Sequence, residues 1–228
     1  MTLPWASGAF DNAAAHSVKA AAVGGAVWDQ VTAGPDLTFP TAVSVVGHAV
    51  SSTSIVRTTT AHSSGKYYVE FTIDRLSFKG EFGLANSSMI MSARDLGNDA
   101  NPSNSCGVWT SGPFFANANG GGLSVLSNPI PTSGTTNLDM AVNLDDTPNL
   151  LFYRVENGPW NPLLAGTQNP ALPAGTGGGI DFRNLNSSLM VAGPYYVAFG
   201  TWLCDITARF ASGSWINTGS KPAGYSQW

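Results

Sequence analysis

Four stretches of this 228-residue chain alternate apolar and polar side chains with a period of two. In KYYVEFTID, Tyr67, Val69, Phe71 and Ile73 fall on one side, and Tyr68, Glu70, Thr72 and Asp74 on the other. LDMAVNLD sets Leu138, Met140, Val142 and Leu144 against Asp139, Ala141, Asn143 and Asp145. PYYVAFG groups Tyr195, Val197 and Phe199, and DITARF groups Ile206, Ala208 and Phe210. An extended backbone sends successive side chains to opposite faces, so each stretch predicts a strand with one packed face and one wetter face. A further run, NLLFYRV, leads into ENGPW, where Asn157-Gly158 signals a hairpin turn. The chain's 26 glycines and 14 prolines mark many turns between short strands. The expected fold is all-β: two antiparallel sheets packed face to face in one domain.

Helical signals are few. Residues 11–24, DNAAAHSVKAAAVG, offer either a short helix capped by Asp11 and stopped at Gly24 or a flexible arm. Two long polar stretches, residues 86–122 and 159–186, read as loops, where recognition is usually carried on a rigid sandwich.

Composition narrows the functional classes. Charged residues are 11% of the chain, against about 25% in ordinary soluble domains. The apolar share is an ordinary 43%, so the low charge does not imply disorder. Only ten Lys and Arg are present, scattered, in a chain of net charge −4. No basic stripe can be built from them, which argues against nucleic acid as a partner. No apolar run is long enough to span a membrane. The start, MTLPWASGAFDNAAAH, lacks the basic and apolar regions of a secretory signal, so synthesis in the cytoplasm without export by that route is expected.

The motifs that would carry chemistry are weak. Ser63-Ser64-Gly65-Lys66 resembles the end of a phosphate loop, but Thr60 stands where the first glycine belongs and Tyr67 follows the lysine. A strand follows as well, where phosphates need a helix N-terminus. A retaining glycosidase needs two carboxyl groups about 5–5.5 Å apart. Glu70 and Asp74 share a strand face at roughly 13 Å, and Glu156 and Asp181 read as lone loop charges. No Gly-x-Ser-x-Gly elbow exists. Asp145-Asp146 offers hard oxygens for calcium or, more simply, a turn ending a strand. Cys106 and Cys204 read as reduced, buried side chains, with a disulfide as the alternative; no Cys or His stands at metal-ligand spacing. The expectation is no catalytic residue, no metal and no cofactor.

Aromatic residues are the better candidates for binding. Trp109, Phe114 and Phe115 stand near Asn117 and Asn119, and Trp160 follows the Asn157-Gly158 turn. Rings beside amides suit sugar faces or protein anchors, although the same rings could plug the ends of a sandwich. Trp28, Trp202 and Trp215 read as structural.

An ordered set of segments resembles a known family. The turn ending in Ser-Gly-Lys and the strand Tyr-Tyr-Val-Glu-Phe-Thr-Ile come first among them, preceded by Trp28-Asp29. Gly83-Leu84-Ala85, Met140–Asp145, Pro194–Gly200, Ile206–Phe210 and the closing KPAGYSQW follow in order. The set is similar to the SPRY domain, especially the divergent versions found in bacteriophage and prophage proteins, over about residues 28–228. The chain departs from it in the closing Ala-Arg-Phe-Ala and in a long insertion around residues 165–190. The resemblance implies a concanavalin-like jelly roll that binds through loops without catalysis, preceded by an arm over residues 1–27. Leu3, Trp5 and Phe10 are then the candidate assembly contacts of that arm. The expected role is a phage virion protein, on the head or as a tail appendage, that forms homo-oligomers, contacts other virion proteins and binds a host-surface glycan or receptor. The alternatives are a carbohydrate- or peptide-binding SPRY adaptor outside a virion, and a concanavalin-like glycan-cleaving enzyme.

Overall fold

Phe71 and Phe82 lie on one strand, and a straight strand would hold them roughly 36 Å apart. Their ring centroids are 5.1 Å apart. The strand therefore doubles back on itself, and the rest of the architecture follows from that bend. A computed structural model describes residues 25–48, 53–92, 94–99, 102–110, 114–115, 122–123, 136–173, 175–185, 188–216 and 221–228.

In chain order the strands are β1 (Leu37–Thr38), β2 (Ser44–Gly47), β3 (Ser54–His62), β4 (Lys66–Ala85), β5 (Ser105–Trp109), β6 (Phe114–Phe115) and β7 (Gly122–Leu123). They continue with β8 (Thr136–Asn143), β9 (Leu150–Val155), β10 (Ile180–Asp181), β11 (Asn184–Leu185), β12 (Ser188–Leu189), β13 (Tyr195–Arg209) and β14 (Ser226–Gln227). One 3-10 turn at Ser212–Ser214 is the sole helical element among the described residues.

β4 and β13 pair antiparallel from Tyr196 opposite Ala85 to Arg209 opposite Glu70. Midway the register slips twice, between Trp202 and Cys204 and between Asp205 and Ile206. Leu203 there adopts a left-handed φ of 59°. Such bulges bend and twist a strand pair, and here they carry both strands from one layer into the other. The first layer runs β10–β9–β8, then residues 66–73 of β4, then the last residues of β13, then β2 and β1. The second runs β3, the first half of β13, the second half of β4, then β5, β6 and β7. β14 joins the first layer in parallel at Tyr67 and Tyr68. The layers face each other across the Phe71–Phe82 contact, and the Tyr153 hydroxyl from β9 donates to the Phe82 carbonyl at 3.0 Å. The fold is thus an all-β, two-layer antiparallel sandwich.

The period-2 reading places the core correctly. Val69, Phe71, Ile73, Leu138, Met140, Val142, Leu144, Tyr195, Val197, Phe199, Ile206, Ala208 and Phe210 all enter the central cluster. The wetter face of β4 does not match its expectation. Tyr68 and Glu70 are fully buried and Thr72 nearly so, and only Asp74 is exposed. The C-terminal stretch lies over them: Trp215 meets Tyr68 edge-on at 5.1 Å, and the Ile216 amide donates to Glu70 at 2.7 Å. Tyr225 and Phe152 complete a second, smaller cluster on this outer face.

Other details refine the sequence reading. Asn157-Gly158 makes a turn, but the strand that returns along β9 is β10, far down the chain, so no tight hairpin forms. Asp181 lies in β10 rather than in a loop. Ser-Gly-Lys is the turn into β4: Gly65 has φ of 101°, and its amide donates to Asp145 at 2.6 Å. Asp145 and Asp146 belong to a turn closed on Asn143, whose side-chain oxygen accepts both their amides. Cys106 and Cys204 are free, buried thiols whose ionisation burial opposes. Trp28 and Trp215 are buried as expected, whereas Trp202 sits half-buried at the bend. Residues 1–24, and with them the proposed helix, lie outside the described residues.

Candidate functional site

The long strands expose one face of the second layer outward, and that face is built to receive a loop. Gly83 of β4 lies where a Cβ would come within 1.9 Å of the Cys106 carbonyl, so β5 can approach only a glycine there. Gly107 is opposite Gly83, and a Cβ on it would meet Leu96 at 3.1 Å. The segment between β4 and β5 folds back over this shallow floor. Met89 and Leu96 pack there with Ile55, Ala85 and Ala198, and the Met91 carbonyl accepts the Ile55 amide at 2.9 Å.

Beside this apolar contact stands a group of charges that the sequence reading did not single out. Lys79 and Glu81 lie two apart on β4 and therefore on the same face. The Lys79 ammonium is 2.7 Å from Glu81 Oε1 and 2.7 Å from Asp95 Oδ1. It also lies 4.2 Å from the centre of the Trp109 ring. Glu81 Oε2 accepts the Leu96 amide at 2.7 Å, Thr53 donates to Asp95 at 2.6 Å, and Trp109 Nε1 donates to the Leu96 carbonyl at 3.2 Å. Gly200 on β13 leaves the space that the Glu81 carboxyl fills, since a Cβ there would lie 2.7 Å from Oε2.

The charges in this group are unequal: one cation faces two acids. Burial pushes the Glu81 carboxyl up to about 8, aided by the nearby Asp95 charge and only partly countered by Lys79. Burial also opposes the charge on Asp95, but hydrogen bonds from Lys79, Thr53 and Glu81 outweigh it and hold that carboxylate below its usual range. Burial works against the Lys79 cation too, yet its two acidic partners raise it overall. A protonated Glu81 beside an ionised Asp95 and a charged Lys79 is the electrically neutral arrangement.

Trp109 is thus half-buried at the end of β5, with its indole N–H engaged by Leu96. Trp160 lies on the other layer's outer face, over Arg154 at 4.3 Å and edge-on to Phe152 at 6.4 Å. The two tryptophans are therefore on opposite sides of the sandwich. The Phe114–Phe115 backbone forms β6 against β5, which places it near Trp109's strand. Asn117 and Asn119, and Leu3, Trp5 and Phe10 of the arm, lie outside the described residues.

A third aromatic feature occupies the bend. Phe78, 57% exposed, packs against the half-buried Trp202 at 4.3 Å between centroids, with the ring planes tilted by 52°. Trp202 is opposite Lys79 across the β4–β13 pair, so this pair borders the charged group. The sequence reading takes Trp202 as structural and gives no sign of the pair, since the alternation breaks at the very residues that bulge.

No protein-family profile and no curated protein matches this chain. Solved structures do. The SPRY domain of human HERC1 is similar with a TM-score of 0.51 and 9% identity, over 79% of this chain and 96% of that one. The TRIM65 PSpry domain is similar with a TM-score of 0.47 and 12% identity, over 82% of this chain and 92% of that one. At 9% identity the HERC1 likeness shows the β-sandwich fold and nothing finer.

Proposed function

We propose that this chain is a non-enzymatic binding module of SPRY-like form, serving in a bacteriophage virion as a head-decoration, head-fibre or tail-appendage protein. The observation that carries the binding part is the Phe78–Trp202 pair. An aromatic side chain 57% exposed and in tilted contact with a second ring suits an anchor for a partner surface or a sugar face. It is mounted on the two longest strands, which hold it without a loop's entropy cost.

The acidic groups support a role other than hydrolysis. Glu81 lies fully buried against Leu96 and Lys79. Asp139 pairs with Arg154 at 2.6 Å, Asp205 with Arg75 at 2.7 Å, and Glu156 accepts the Asn137 amide. Each of these carboxylates is engaged as an acceptor within the sandwich, whereas glycoside hydrolysis requires a pair flanking the scissile bond. The virion part rests on the resemblance of the ordered sequence segments to phage versions and on the low-charge, Gly-rich composition.

Two measurements test the parts separately. Immunogold electron microscopy of particles from a lysing culture should label the phage head or tail; unlabelled particles that otherwise assemble would overturn the virion role. Phe78→Ser in the full chain should reduce binding to the host cell surface at least tenfold and move the melting midpoint by less than about 2 °C, as for an exposed side chain. Unchanged binding would remove the bend from the contact surface. Binding retained by a protein that is absent from particles would favour the adaptor reading.

A further inference from the structure

We propose that residues 95–97 form a proton-controlled strap: the Lys79, Glu81 and Asp95 cluster fastens it over the outer face of the second layer, and loss of one proton from the cluster releases it. The proposal does not depend on the virion reading, because its readout is the strap itself.

The geometry limits what can hold this segment down. Apart from the Asn98 amide, which donates to the Asp95 carbonyl at 3.0 Å within the same turn, the polar attachments of Asp95 and Leu96 among the described residues run into one group of side chains. Asp95 is held by Lys79 and Thr53, the Leu96 amide by Glu81, and the Leu96 carbonyl by Trp109. Gly97 adds one bond, from its amide to the Ser105 hydroxyl at 2.8 Å. The charged groups that face Glu81 are Lys79 from its own strand and Asp95 from the strap. Thr53 before β3, Trp109 of β5 and Gly200 of β13 border the site and bring no charge. With Glu81 protonated, the closed site is neutral. With Glu81 ionised, it holds one uncompensated negative charge out of water, between a carboxylate and an apolar floor.

Lifting the strap relieves that charge. Asp95 then leaves Glu81, and Glu81 regains water. The released form therefore has an ordinary acidic Glu81, while the fastened form keeps its proton up to about 8. The sign follows from linkage. A group that binds its proton more tightly in the closed form stabilises that form fully at low pH. That stabilisation declines as pH rises through the ordinary carboxylate range and levels off above about 8. The strap is fastened in acid and loosened near and above neutrality. Release also breaks the bond from the Trp109 indole N–H to the Leu96 carbonyl and uncovers the floor formed by Ile55, Ala85, Gly107 and Ala198.

The test is backbone hydrogen exchange of the full chain by mass spectrometry, read in the peptide spanning residues 94–99 and corrected for the intrinsic pH dependence of exchange. Protection should fall at least tenfold between pH 5 and pH 8 and then level off, while peptides of β8 and β9 keep theirs. Glu81→Gln retains an oxygen for the Leu96 amide and removes the proton, so its profile should be flat. If that variant fails to fold, Asp95→Asn supplies the second arm. It leaves Lys79 and an ionised Glu81 as a neutral pair, and the decline should shift to lower pH. A flat profile in the unaltered protein, or a decline that survives unchanged in the foldable variant, would overturn the proposal.

Discussion

Arg154 lies between an acid and a ring. Its Nε is 2.6 Å from Asp139, which is fully buried, and its guanidinium lies 4.3 Å from the centre of the Trp160 ring. Asp139 is opposite Arg154 across β8 and β9, so the sheet register brings them together. Trp160 covers the pair from outside and shields it from water. Trp160→Ala should therefore cost stability as well as surface: about 1–2 kcal/mol for the lost cation–π contact over a partly desolvated pair. Urea unfolding measures it, and a loss below a few tenths of a kcal/mol would make Trp160 a free surface ring. This fixes what was legible residue by residue. A period of two reveals which side chains face inward, and the thirteen core positions above follow from it. It does not reveal what stands opposite on the next strand. Arg154 with Asp139, and Lys79 with Asp95, meet only through register or through a returning loop. Lys79 and Glu81 therefore went unremarked, although an acid between Gly80 and Phe82 in a strand is itself a sign of a buried partner.

β4 and β13 were legible in pieces. KYYVEFTID and DITARF appear as strands, but the alternation fails through DRLSFKG and GTWLCD, where the paired bulges lie. A bulge shifts side chains to the other face, so the sequence pattern breaks where the backbone continues. The continuity matters because the second half of β4 forms the floor for the strap. Gly83 is the position where that floor is closest to β5. Gly83→Ala would drive a methyl to 1.9 Å from the Cys106 carbonyl, a backbone atom with no flexible side chain to yield. The expected cost is about 3 kcal/mol, read as a drop in the denaturant midpoint. Gly107→Ala meets Leu96 at 3.1–3.2 Å, contacts that a small shift of the strap relieves, and the Phe82 carbonyl of β4 at 3.0 Å, which must give by a few tenths of an ångström. It should cost about 1 kcal/mol. An equal cost at both positions would show that the floor yields as one unit and that the close approach at Gly83 is not the constraint.

The sandwich closes around residues 25–228, and its two ends meet. The Ala26 amide donates to the Trp228 carbonyl at 3.2 Å, Trp228 Nε1 donates to the Thr60 carbonyl at 3.2 Å, and Trp228 meets His62 and Tyr67 edge-on. Trp28 donates its indole N–H to the Val43 carbonyl and packs edge-on against Phe210 at 5.1 Å. The chain is therefore tied into the core from residue 26 onward, so Ala26 and Val27, the last residues of the arm expected over 1–27, already belong to the sandwich. Removing residues 1–24 should leave this closure intact, with a cooperative melt whose midpoint moves by less than about 2 °C. Under the virion reading, the same truncation removes Leu3, Trp5 and Phe10, and the folded protein should no longer join its particle. The two readouts separate fold from assembly. A truncated chain that melts broadly places the arm within the fold. One that melts normally and still assembles moves the assembly contact onto the sandwich, where the exposed Phe78 beside Trp202 is the next surface to alter.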